Sequence, residues 1–69
     1  MKASIDCSKI MKLRLSMDLN VTELGNKLGV SRAMVSRMES DPKYNPGVLT
    51  LYIFSSFYNV QIDDLLIKE

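Results

Sequence analysis

Apolar residues recur at spacings of three and four through most of this chain, which is the pattern of helices that each bury one face. Ile10, Leu13 and Met17 form such a face in a first helix that Asp6 or Ser8 begins, with Lys9 and Lys12 pointing elsewhere. Met1 to Ile5 reads as a loose arm ahead of it. Leu24 and Leu28 lie on one face of a second helix, and Val35 and Met38 on one face of a third. Asn20 and Glu23 have the spacing of a reciprocal capping box, in which each side chain satisfies a free amide of the other's turn. Gly29 tolerates the left-handed backbone that stops the second helix, Val30 drops into the core, and Ser31 caps the third. Asn20 to Glu39 therefore predicts helix, tight turn, helix, and the rest of the chain reads as support for it. Gly25 costs this segment about 1 kcal/mol of helix propensity relative to alanine, which points to a close approach of backbones there.

Beyond Glu39, the stretch Ser40 to Asn45 carries turn residues, and Pro42 prevents the helix from continuing. Asn45 is suited to cap a fourth helix with Pro46 at its first position, running to about Tyr58. Val48, Leu51, Phe54, Ser55 and Tyr58 follow helical spacing and are expected to face the core. Leu49, Tyr52, Ile53 and Phe57 make a second apolar set on the same helix. A helix apolar on two sides must be buried on two sides or remain adhesive, and a chain this small cannot cover both. The second stripe is thus expected to be a partner interface. Asn59 ends the helix, and Val60, Ile62, Leu65 and Leu66 predict a short fifth one, with Gln61, Asp63 and Asp64 outward.

Once the apolar positions of the third helix are turned inward, Ser31, Arg32, Ala33, Ser36 and Arg37 remain on its outer face. Such a set fits the major groove of DNA. Arginine donates twice to guanine, serine reaches bases or phosphates, and alanine touches a thymine methyl. Lys43, Tyr44 and Asn45 are suited to hold a phosphate through side chains and backbone amides.

The chain resembles the Cro and repressor type of helix-turn-helix proteins, also called the xenobiotic-response-element family. The resemblance rests on Ile10, Leu13 and Arg14, on Glu23-Leu24, Gly29-Val30-Ser31, Val35-Ser36-Arg37 and Glu39, then on Pro46, Leu51, Val60, Ile62 and Asp63-Asp64-Leu65-Leu66. It implies an all-α, compact five-helix domain of the lambda-repressor-like kind that binds a palindromic double-stranded operator as a dimer. It puts Arg32, Ala33, Ser36 and Arg37 where the family contacts bases, and Lys43 to Asn45 where it contacts the sugar-phosphate backbone. It also implies that Arg14 and Glu39 form a largely buried, structural ion pair. Three positions depart from the family: Val21 where many relatives carry a phosphate-gripping Gln, Asp41 where Gly is usual, and Met11 in place of a frequent Arg. All three weaken contact with DNA.

Sixty-nine residues allow one small domain, its core marginal unless the helices pack well or another subunit covers part of it. Cys7 is the sole cysteine and there is no histidine, so neither a disulfide within the chain nor a metal-ligand set is available. No glycine-rich phosphate loop and no paired carboxylates are present either, so acid-base, nucleophilic and metal catalysis lack their parts, and neither a cofactor nor a small-molecule substrate is expected. Without a signal-like leader or a membrane-length apolar run, the chain is expected to be cytoplasmic. The net charge of +1 is low for a DNA binder, although residues 1 to 43 carry +3 and residues 44 to 69 carry −2. Two functions follow: a dimeric DNA-reading regulator, or an antirepressor that uses the same scaffold to bind a partner repressor, as small modulator-of-repression proteins of temperate phages do. Phage switches, restriction-modification controllers and antitoxins all use domains of this format.

Overall fold

The computed structural model describes residues 3–68. In chain order they form a strand β1 (Ala3–Ile5), helices α1 (Cys7–Leu15), α2 (Val21–Leu28), α3 (Arg32–Ser40) and α4 (Val48–Tyr58), a 3-10 turn (Ile62–Leu65) and a strand β2 (Leu66–Lys68). The core takes at least one residue from six of these seven elements: Ile5, Ile10, Leu24, Val35 with Met38, Phe54 and Leu65, all at most 3% exposed. Each of these six elements supplies one or two buried apolar residues, and half-buried ones such as Leu13, Leu28, Leu51 and Leu66 pack around them.

The helix boundaries follow from local chemistry. Asp6 caps α1 by accepting from the Lys9 amide at 3.1 Å. Asn20 Oδ1 accepts from the Glu23 amide at 2.8 Å while Glu23 Oε1 accepts from the Asn20 amide at 3.0 Å, which is the full capping box. Gly29 ends α2 at φ 73°, and Ser31 Oγ accepts from the Met34 amide at 3.0 Å to start α3. Asn59 closes α4 at φ 55°, where the amide of Val60 reaches back to the Ser55 carbonyl at 3.0 Å.

Arg14 and Glu39 join α1 to α3. Arg14 Nε donates to Glu39 Oε2 at 2.7 Å and Nη2 to Oε1 at 2.9 Å, while Nη1 donates to the Leu19 carbonyl at 2.7 Å. The side chains are 12% and 5% exposed, and the hydrogen bond to Glu39 is the main influence that raises the arginine pKa above its ordinary value.

Several expectations from the sequence need correction. The arm is not loose from Ala3 onward: Ala3, Ser4 and Ile5 pair antiparallel with Lys68, Ile67 and Leu66, while Met1 and Lys2 lie outside the described residues. No fifth α-helix forms among the described residues; Ile62–Leu65 makes one 3-10 turn and the chain then extends to meet β1. The fold is therefore mostly helical, with four α-helices and a two-stranded sheet, and not all-α. The apolar face of α1 stops before Met17, which lies beyond the helix and is 46% exposed. Gly47, and not Asn45, sits at the start of α4. Asn45 Oδ1 instead accepts from the Gly47 amide at 3.2 Å, so Pro46 precedes the helix. Val48, in the first turn, is consequently 68% exposed and lies off the core.

Candidate nucleic-acid interface

Helix α3 is carried on its buried side by Val35, Met38 and Glu39, which leaves Ser31, Arg32, Ala33, Ser36 and Arg37 exposed together on the other side. The turn that presents this helix depends on Gly25. A Cβ there would come within 2.8 Å of the Val30 carbonyl oxygen and 3.4 Å of the Arg32 amide, so the backbone of α2 lies directly against the start of α3. Ser31 uses its oxygen as a cap and keeps its hydroxyl hydrogen to donate. Arg32 stands at the positive end of the helix, whose first turn holds no acid to neutralise it.

Arg37 is held by the loop that follows. Its Nη2 donates to Asp41 Oδ2 at 3.4 Å, and its guanidinium carbon lies 4.6 Å from the centre of the Tyr44 ring. Asp41 is itself fixed, because its Oδ1 accepts from the Lys43 amide at 3.0 Å and its carbonyl accepts from the Tyr44 amide at 3.0 Å. These bonds correct one expectation: the amides of Lys43 and Tyr44 are turned into the loop and do not point at a phosphate. What Lys43 and Asn45 offer outward is their side chains, both exposed, whereas Tyr44 is half-buried against the core. Asp41, where glycine is usual in the family, is thus a partner of Arg37 as well as a negative charge. Its spacing of four from Arg37 was the available sign that it has a partner.

The second face of α4 is open. Leu49 is 77% exposed, Tyr52 62% and Ile53 36%, and Val48 joins them, on a helix without a charged residue. Phe57, expected in this stripe, turns partly inward to pack against the core and meets Tyr58 edge-on with ring centres 5.1 Å apart. The described residues contain no group of carboxylates and thiols placed to hold a metal. Cys7 is half-buried, and burial is the chief reason its thiol pKa is raised, so little reactive thiolate is present at neutral pH.

A family model described as helix-turn-helix matches residues 10–65, the span from the core residue Ile10 through α3 to Leu65. The chain belongs to this family. The match is of the Cro and repressor type, and the relatives it brings are named as HTH-type regulators of transcription. Over 61 residues it is 38% identical to BcrR, an HTH-type transcriptional activator of Enterococcus faecalis; the match takes in 88% of this chain and 29% of that protein. Over 62 residues it is 32% identical to an uncharacterised HTH-type transcriptional regulator of Methanocaldococcus jannaschii, covering 90% of this chain and 92% of that one. No solved structure matches the chain significantly. This helix-turn-helix protein thus spans under a third of one relative and nearly the whole of the other. No helix among its described residues is long and apolar enough to cross a membrane.

Proposed function

We propose that the protein is a sequence-specific regulator of transcription that lays α3 in the major groove of a double-stranded operator. The observation that carries this reading is the division of α3: every large apolar side chain faces inward, and Ser31, Arg32, Ala33, Ser36 and Arg37 are exposed on one face. In this reading Arg32 and Arg37 read base edges, Ala33 and Ser36 fill the groove floor, and Lys43 with Asn45 touches the sugar-phosphate backbone on one side of the helix. Tyr44 acts from beneath Arg37. Leu49, Tyr52 and Ile53, extended by Val48, form the contact between two copies, which suits a palindromic site.

A second reading is favoured by the exposed apolar stripe together with the net charge of +1: the same scaffold binds a repressor protein and controls its hold on DNA. Genetic switches of phages and mobile elements are the setting for such an antirepressor. One titration separates the two. The purified protein is added to DNA from around its own gene at two salt concentrations, alone and then with any neighbouring repressor. Tight, salt-sensitive and sequence-preferring binding by the protein alone supports the first reading, with a slope that counts phosphate contacts. Absence of such binding, with a changed footprint once the repressor is present, supports the second.

A further inference from the structure

We infer that Asp41 and Tyr44 are positioning residues for Arg37, which they restrain so that it discriminates between bases and does not bind phosphates indiscriminately. The inference rests on the reading of α3 as a DNA-reading helix. A free arginine on an exposed helix face samples many rotamers, and the nearest strong anions on DNA are phosphates, which are the same in every sequence. Here the guanidinium is held from two sides. Asp41 engages one N–H of Nη2 at 3.4 Å, and the guanidinium carbon lies over the Tyr44 ring, 4.6 Å from its centre. Neither support is itself free to follow the arginine. The other carboxylate oxygen of Asp41 is bonded to the Lys43 amide, and Tyr44 is packed against the core. Four of the five guanidinium donors remain for a ligand, enough for the paired bonds to a guanine edge.

The two supports act differently. Tyr44 attracts the guanidinium through the ring face without offsetting its charge. Asp41 restricts it and also offsets its charge, so that an Arg37 that leaves for a phosphate gives up its carboxylate partner and leaves that carboxylate uncompensated. Binding to any sequence is thereby weakened, and binding to a site with the right base is weakened less. The acid in the loop is accordingly a source of selectivity, obtained at the expense of overall affinity.

The test begins with selection of a preferred duplex from a random-sequence pool by the unaltered protein. Titrations follow against that duplex and a scrambled one at two salt concentrations. Asp41→Asn is expected to bind the scrambled duplex more tightly, with a salt slope steeper by about one phosphate contact, and to lose about tenfold in the ratio of preferred to scrambled affinity. Tyr44→Leu is expected to lose a similar ratio without the gain in scrambled binding, and Tyr44→Phe, which keeps the ring, to retain it. Thermal melts of each variant show whether it is folded. Because the Asp41 side chain is 40% exposed and Asn keeps its shape, this variant carries the test even if Tyr44→Leu proves too unstable. An unchanged ratio in Asp41→Asn overturns the inference while leaving the DNA reading intact. Failure of the unaltered protein to select any sequence removes that reading, and the inference with it.

Discussion

Arg14 and Glu39 show how much a single pair contributes in a chain this short. A domain of this size has a total stability of about 3 to 10 kcal/mol, whereas stranding one charge of a buried pair costs about 3 to 5 kcal/mol. Glu39→Gln is therefore expected to remove much of the stability, seen as a large fall in the midpoint of urea unfolding. Replacing both partners by apolar residues of similar volume should recover most of the loss, since no unpaired charge is then left. Tyr58 is the opposite case, a buried hydroxyl with no hydrogen-bond partner among the described residues. Burial is the main cause that pushes its pKa up to about 12, with the Glu39 charge adding to it. An acid held more firmly in the folded state contributes stability that is complete below the ordinary tyrosine pKa of about 10 and is lost as the pH rises through 12. Unfolding measured between those limits should show stability falling with pH, and Tyr58→Phe should abolish that part of the slope. The ion pair was visible in the sequence through a family pattern. The unpartnered hydroxyl was not, because spacing alone marks Tyr58 only as a residue on the inner face.

Among the elements, those with long periodicity were the legible ones. Asn20, Glu23, Gly29 and Ser31 act on neighbours within four residues, so the limits of α2 and the start of α3 are written locally. Both strands escaped because each has three residues, too few for alternation to register, and each depends on a partner more than sixty positions away. Ile5 is the sole core residue of β1, and it carries the burden of holding that strand down. Ile5→Ala should destabilise the protein by about 2 to 5 kcal/mol and release the amide protection of β1 and β2 together in hydrogen exchange. The start of α4 is likewise set by a contact that composition does not display. Asn45 and Pro46 have the composition of a helix entry, but Asn45 turns its oxygen to the Gly47 amide and delays the helix by two residues. At the candidate site the outer face of α3 could be read from period alone. The spacing of four to Asp41 also marks one partner of Arg37, whereas the other depends on where the loop after α3 carries Tyr44.

For the molecule as a whole, charge and apolar surface are separated. The basic excess lies in the part that holds α3, and the acidic excess in the part that holds α4, whose open stripe has no charge of its own. If two copies meet through that stripe, Leu49→Glu should yield a monomer in sedimentation, with little change in the melting of the isolated chain because Leu49 is 77% exposed. Weaker binding to a palindromic duplex would follow, with binding to a half-site unaffected. The short sheet has a consequence of another kind. By pairing Ala3 with Lys68, it makes the described fold begin and end at one spot, so that the path of the chain is almost a closed ring. A domain built this way can be spliced into a surface loop of a host protein, or threaded into a longer regulator, without spreading its attachment points apart. Its two ends could likewise be joined by a short linker and new ones opened at the exposed turn around Met17, leaving α3 and the loop after it intact.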